Sequence, residues 1–577
     1  MDRLARRPPC PPGDVGACFV LAGGLLWRIL GVLLTSPTAV VNMPLPDDAY
    51  YYFTLARNIA LGNGAVISGD GSVTTGFQPL WGFLLAGLQW LLGNPAPQMQ
   101  IFMAQLVGAL FGIVSSWLLY RLVRAIHPSQ GLALVALAGY TLSPQIIRHQ
   151  LNGLETSLAL MAVITILWFF VAFRGRWITP VQALAVGIVA GLGFLARSDT
   201  LLVAVPGIAL YFLSIARDCP RNCWSRLVAT VAACALGGLV ALLPWLAFAG
   251  SSGFGVVPES GEAIRVITVA MRHLPIDPPI ASVVRAPSLF LPLYARNLLE
   301  FSAAWLRQVP TLFPFTIPLY ALAGTETAVE FSGVAAFVIA ALVLVMLLRS
   351  HNRPMAWLAV LWCIYAGMMA GAYTVFIQGP WFFIRYAAPL GAVFNVLALL
   401  ALFELRPVKL HHALSLWIAT LALAGGFASL LVGGSYRWLV AGRSTVPEDG
   451  WYQATEYMNT HLAAGTRVGS FSAGLIGYYG ELPVIPLDGK VNRRARLAIV
   501  SGEMSSYICE VGIGYVVDWR KTVASLLVRR SRQWDDRLLT EVHVIPAPEQ
   551  SDIVFYRVNP AYCPAPQTGA SPQPAAP

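Results

Sequence analysis

The chain has 577 residues, of which 57% are hydrophobic and only 11% charged. Soluble domains carry roughly 25% charged residues, so this composition excludes an ordinary soluble protein. Mean hydropathy is +0.65 and net charge +10; the basic residues mostly flank apolar runs, where they orient helices, so the charge does not imply nucleic acid.

Arg3, Arg6 and Arg7 precede an apolar run that continues past Val32 with no small-residue cleavage site, as expected of a retained signal anchor. Runs long enough to span a bilayer fall at 17–36, 100–124, 131–147, 155–173, 180–196, 200–216, 227–249, 331–348, 355–376, 384–403 and 413–434. Basic residues between them, at Arg121/Arg124, Arg174/Arg176, Arg217/Arg221/Arg226, Arg349/Arg353 and Arg406/Lys409, are expected on the cytoplasmic side. Their parity holds only if the shorter, proline-bounded runs 79–93 and 310–324 do not span. The expected architecture is an α-helical polytopic membrane protein of about eleven spanning helices with its N-terminus inside.

Residues 1–438 form the membrane module in this reading, with large outer loops at 37–99 and 250–330. Asp47, Asp48, Asp70, Glu155, Asp199, Glu259, Glu262 and Asp277 then fall on or near the outer side. Arg28 lies inside the first span, where a charge is costly and needs a partner, a function or a route to the interface.

Beyond Gly434 charges become frequent, and short β-prone runs (467–471, 484–487, 514–517, 553–556) alternate with helical stretches. This pattern predicts a C-terminal soluble α/β domain over 439–563, followed by a disordered tail, 564–577, rich in proline and alanine. If that domain lies outside the cytoplasm, Cys509 and Cys563 are able to pair; Cys219 and Cys223, in a loop expected to be cytoplasmic, are expected to stay reduced.

The chemistry concentrates in the first outer loop. Pro46-Asp47-Asp48-Ala49 opens a helix to Leu61, with Gly62 and Gly64 past its end, and its apolar stripes suggest that it lies on the membrane surface. The two aspartates are either first-turn and capping residues or a base at the membrane face. Polar turns follow at Thr74-Thr75-Gly76-Phe77-Gln78, Asn152-Gly153-Leu154-Glu155-Thr156 and Arg197-Ser198-Asp199. Trp381-Phe382-Phe383-Ile384-Arg385-Tyr386 stands at the expected outer end of a late helix. Trp451, Tyr452, Tyr478 and Tyr479 are candidate glycan platforms or ordinary core.

In order and sidedness these motifs resemble the GT-C superfamily, the multispanning glycosyltransferases that use polyprenyl-phosphate sugars. The closest likeness is to its bacterial arabinofuranosyl- and mannosyltransferase-like branch. The Asp-Asp-Ala-aromatic start, Arg57-Asn58-Ile59-Ala60-Leu61-Gly62-Asn63-Gly64, the Gly-x-Glu-Thr turn, Gly477-Tyr478-Tyr479 and Leu487-Asp488-Gly489-Lys490-Val491-Asn492 carry the resemblance. Ser198 stands where the branch has proline.

The resemblance implies an inverting transfer from a polyprenyl-phosphate sugar to a glycan or glycolipid at the outer face of a bacterial cytoplasmic membrane. One of Asp47 and Asp48 would be the base, with Asp47 preferred. Arg385, Arg197 and Arg57 are donor-phosphate candidates, and Glu155 and Asp199 acceptor-side or structural carboxylates. Paired aspartates are also compatible with a divalent cation, Mg or Mn, and the superfamily varies in metal dependence. Alternatives are a lipid A- or glycolipid-modifying transferase or glycan ligase, differing in acceptor, and a lipid-linked sugar transporter. Transporters place ionisable groups at the midplane of repeated halves, and no repeat is evident here.

Overall fold

The computed structural model describes residues 12–33, 45–217, 223–309, 325–350, 352–404, 448–546 and 551–564. Among them, seven helices are long and apolar enough to cross a membrane: Pro97–Ile126, Thr156–Phe173, Ser198–Arg217, Trp224–Ser251, Glu330–Arg349, Arg353–Ile377 and Pro380–Glu404. The chain is a multi-pass membrane protein. Shorter apolar helices occupy Val15–Ile29, Pro79–Leu91, Gln130–Thr141 and Pro180–Ala196. The expected span 413–434 and the tail from 565 lie outside the described residues.

One expected span is corrected. Residues 131–147 are not a single helix: Gln130–Thr141 stops, and a separate turn of helix, Pro144–Gln150, restarts behind Ser143. Pro144 has no N–H to give to the preceding helix and is suited to the first position of the next. The Ser143 hydroxyl accepts from the Ile146 N–H. The break positions Gln150, whose side-chain oxygen takes both Arg28 Nε (2.9 Å) and Nη2 (2.6 Å), while Nη1 donates to the Gly24 and Thr141 carbonyls. Arg28 is thus fully buried on neutral acceptors rather than on a carboxylate.

The helix Asp47–Ala60 forms as expected, but neither aspartate caps it: its N-cap is Pro46, in an extended conformation, and the acidic pair sits in the first turn, facing the positive helix end. Its setting differs from a surface helix. Every residue from Ala49 to Ala56 is buried, because Pro79–Leu91 packs along one side and the C-terminal domain covers the other.

The C-terminal domain holds a five-stranded sheet in the order β2-β1-β3-β5-β4, with β1 Val468–Ser470, β2 Val484–Pro486, β3 Tyr515–Trp519, β4 Leu539–Ile545 and β5 Ile553–Val558. Strands β2, β1 and β3 are parallel; β5 runs antiparallel between β3 and β4. Loops at the carboxyl ends of parallel strands are where α/β sheets carry their sites. Here those ends are Ser470, Pro486 and Trp519, and they lead into the helix Ala473–Tyr479 and the turn Leu487–Lys490.

Asp518, on β3, locks that edge: Oδ2 accepts from Ser470 Oγ and from the Phe471 and Ser472 N–H groups. Its burial pushes its pKa up to about 7 against these bonds. Cys509 and Cys563 form a disulfide. Cys223 is also disulfide-bonded, which corrects its expected reduced state.

Membrane module and domain share one core. Tyr50, Phe53 and Leu55 pack with Leu475, Ile476 and Tyr478 in a continuous apolar cluster. Tyr50, Tyr478, Tyr479 and Tyr452 form a chain of ring contacts 4.9–6.0 Å apart, so these rings, with buried Trp451, build the joint rather than an open platform. A second contact comes from the helix Ser260–Met271, where Arg496 pairs with Glu259 (2.7 Å) and Glu262.

Candidate active site

Asp47 and Asp48 are adjacent in sequence and opposite in employment. The Asp47 carboxylate accepts from the Leu475 N–H (2.9 Å, Oδ1) and the Gly474 N–H (3.1 Å, Oδ2). It therefore satisfies two orphan donors in the first turn of the domain's helix Ala473–Tyr479. Burial raises its pKa to about 6; the Lys490 charge and the two N–H bonds oppose the rise.

This cap requires the two backbones to approach closely, and Gly474 permits it. A Cβ there would collide with the Asp47 carbonyl and lie 2.7 Å from its carboxylate. Gly474→Ala is expected to cost about 1–3 kcal/mol through overpacking. Gly477→Ala is the control, because a Cβ there meets only ordinary contacts at 3.7 Å. Thermal unfolding of the two detergent-solubilised variants, with limited proteolysis of the domain, reads the difference; equal midpoints would remove Asp47's capping role.

Asp48 faces the other way, into a cluster of cations. Lys490 Nζ donates to its Oδ1 at 2.8 Å, and Arg385 donates to its Oδ2 from both terminal nitrogens at 3.4 Å. Burial pushes the Asp48 pKa up, but Lys490 and then Arg385 more than offset it, so the carboxyl titrates below its ordinary value. Lys490 also touches Asp488 Oδ2 at 3.0 Å. Burial disfavours the Lys490 charge, but Asp48, Asp488 and Asp47 outweigh that and hold the ammonium well above the usual lysine range. The Tyr51 hydroxyl donates to Asp488 (3.3 Å) and accepts from the Ala473 N–H.

Arg385 sits in the first turn of the helix Phe383–Glu404 and donates to the Tyr386 hydroxyl at 3.0 Å. Tyr386 links this centre to a second one. Its ring stacks on Tyr373 at 4.7 Å and lies 5.2 Å from the Arg197 guanidinium. Arg197 pairs with Asp199 at 2.7 Å, and the Tyr373 hydroxyl donates to Asp199 at 2.6 Å from a π-helical turn, Ala372–Ile377. Such turns often mark functional positions.

Glu155 comes in from the turn before Thr156–Phe173. Gly153 (φ +73°) lets that turn press against Ala49 and Phe53, and the Trp81 indole N–H holds its carbonyl. The Glu155 side chain is buried within electrostatic range of Arg385, Tyr52 and Tyr386, and its Oε2 has no hydrogen-bond partner among the described residues. Arg385 Nε and Arg197 Nη1 are likewise buried without one. These are unsatisfied charged atoms of both signs on residues grouped around Tyr386, an arrangement chemically suited to a polar guest.

The structure thus gathers Asp48, Arg385, Glu155, Arg197 and Asp199 around Tyr386. Arg57 does not join them: it lies at the far end of its helix, 5.2 Å from the Tyr478 ring, and helps to hold the domain. Sequence reasoning gave no role to Lys490, Asp488, Tyr386 or Tyr373. The first two lay in the quoted run Leu487–Asn492, where two opposite charges in a turn after a buried strand were the available signal.

This multispanning helical body, closed by a small α/β domain, has the GT-C fold of membrane glycosyltransferases. Residues 79–248 match the family described as dolichyl-phosphate-mannose-protein mannosyltransferase, and residues 442–558 match a domain of unknown function, DUF8728. Among solved structures, one similar chain is the archaeal oligosaccharyltransferase AglB from Archaeoglobus fulgidus, in complex with an inhibitory peptide and a dolichol-phosphate. It is 15% identical, with 95% of this chain and 75% of that one covered and a TM-score of 0.54. An Archaeoglobus fulgidus oligosaccharyltransferase in the apo form gives 15%, 94%, 74% and 0.54. ArnT from Cupriavidus metallidurans bound to undecaprenyl phosphate gives 13%, 93%, 99% and 0.49. No curated protein matches the sequence.

Proposed function

We propose that this protein transfers a sugar from a polyprenyl-phosphate donor to a hydroxyl of a glycan or glycolipid, at the outer face of the membrane, by a single inverting displacement. The observation that carries the reading is Asp48, a half-buried carboxylate held by two cations that are themselves suited to phosphate. A donor phosphate entering between Arg385 and Lys490 takes over their charge and leaves Asp48 free beside the anomeric carbon.

The acceptor oxygen then bonds to that carbon as the carbon–oxygen bond to phosphate breaks. The hydroxyl proton passes to Asp48, and the bonding electrons leave on polyprenyl phosphate, held by Arg385 and Lys490. Attack opposite the leaving group inverts the anomeric centre. Glu155 faces the same space and orients the acceptor; Arg197 and Asp199 fix Tyr386 and through it Arg385. Asp47 is a structural cap in this scheme and Asp48 the base, which reverses the preference drawn from sequence.

Sidedness is supported by the basic residues. Arg124, Arg174, Arg217, Arg349 and Arg353 stand at the helix ends opposite those that carry Glu155, Asp199 and Arg385. By the positive-inside rule this arrangement supports a site and domain on the outer side of a bacterial cytoplasmic membrane.

The test is a transfer assay in lipid nanodiscs with a panel of polyprenyl-phosphate pentoses and hexoses, following release of polyprenyl phosphate and the anomeric configuration of the product. Inverted product from at least one donor is expected. Transfer only from nucleotide sugars, or a retained configuration, would overturn the proposal.

A further inference from the structure

The tandem aspartates invite a divalent cation, and the residues do not fit one. A Mg or Ca ion needs several free oxygen ligands. Three carboxylates surround Lys490, and hydrogen donors engage every oxygen of all three; Glu155, near Arg385, leaves Oε2 without a partner among the described residues, and that single buried oxygen is too few for a divalent cation. Asp47 takes the Gly474 and Leu475 N–H groups, one on each oxygen. Asp48 takes Lys490 on Oδ1 and Arg385 on Oδ2. Asp488 takes the Lys490 backbone N–H on Oδ1, and Lys490 Nζ with the Tyr51 hydroxyl on Oδ2. Among the described residues no group of three His, Cys, Asp or Glu side chains has a metal-binding arrangement.

We infer that the Lys490 ammonium occupies the place of a divalent cation, so that the transfer runs without metal and the C-terminal domain supplies the charge that holds the donor phosphate. This rests on the proposed transfer. The geometry explains how a flexible lysine can serve as a fixed ion. Its Nζ is held between Asp48 (2.8 Å) and Asp488 (3.0 Å), with the Tyr51 and Phe382 rings 5.4 and 5.8 Å away. Its backbone is pinned from the first outer loop, because Gly76 presses so closely on the Lys490 carbonyl that a Cβ would collide with it. The turn that carries it bends at Gly489 (φ +76°).

A lysine bridging two carboxylates offers the phosphate one positive charge without the ligand exchange a metal requires. It also repels any cation that would approach the same oxygens.

The experiment uses the full-length protein in nanodiscs, in three arms. Wild-type transfer is measured after exhaustive chelation and after addition of Mg or Mn. Mn²⁺ binding is titrated by electron paramagnetic resonance on wild type and Asp48→Asn. Lys490→Gln and Lys490→Arg are assayed beside their melting temperatures. Expected are an unchanged wild-type rate under chelation and no difference in Mn²⁺ binding between wild type and Asp48→Asn. Lys490→Gln should lose about 100-fold, as when one charge-stabilising donor is removed, with partial rescue by arginine.

Wild-type transfer that stops on chelation and returns with metal would overturn the inference while leaving the transferase reading intact. So would a Mn²⁺ site that Asp48→Asn abolishes, or full activity in Lys490→Gln. If no polyprenyl-phosphate sugar is transferred under any condition, the functional reading fails, and the Mn²⁺ titration alone decides whether this centre excludes metal.

Discussion

The Asp48→Asn protein is expected to transfer sugar roughly 10²–10⁴ times more slowly than wild type, the range that a positioned general base supplies. Asparagine keeps the size and one acceptor oxygen, so the change removes charge and basicity with little loss of packing. Asp47→Asn should cost far less in rate, because Asp47 accepts two backbone N–H bonds from the domain and one amide oxygen can keep part of that cap. The pH profile separates the two candidates. The ionised carboxylate is the active form of a base, so activity falls as pH drops through its pKa. With Asp48 as base, the acid limb of kcat/KM lies below the ordinary carboxylate range, because Lys490 and Arg385 offset burial. With Asp47 as base it would lie near pH 6. In kcat the limb should move upward, because bound phosphate draws both cations away from Asp48.

Arg385→Gln is the second large effect, a loss of about 10²–10³ in transfer with a higher KM for the donor. Arg385 is half-buried, donates to Asp48 and Tyr386, and keeps a buried Nε without a partner among the described residues. Arg385→Lys should recover only part of the rate, since an ammonium cannot reproduce the planar fork. Arg57→Gln, at the far end of the helix, should leave donor KM unchanged and lower the melting temperature instead. Donor titrations on these three variants check the contrast, and a raised KM in Arg57→Gln would return Arg57 to the phosphate site.

The long spans were legible because a bilayer demands apolar length, and Thr156–Phe173 or Trp224–Ser251 can be read from hydropathy alone. The run 131–147 misled because its helix break is a backbone event at Pro144 inside an unbroken apolar stretch. The tandem aspartates were visible, but their division of labour was not. It depends on Gly474, Leu475 and Lys490, more than 400 residues away along the chain. Arg385 could be found because an arginine among aromatics at a helix start is conspicuous. Lys490 carried only a weak signal, an opposite charge beside Asp488 after a buried strand, since one lysine in a surface-like turn looks solvated until its three carboxylates are placed around it.

Asp48 and Lys490 are 442 residues apart. At a synthesis rate of roughly 5–20 residues per second, the carboxylate leaves the ribosome roughly 20–90 s before the ammonium that neutralises it. Through that interval the helix 47–60 waits without its lid, its tyrosines uncovered, and of the two cations that hold Asp48 only Arg385 has been made by the end of the membrane module. The C-terminal domain, made after the membrane module, thus completes the charge pairing that the first outer helix begins, and under the proposed mechanism a chain cut short before residue 490 lacks both the lid and the Lys490 ammonium.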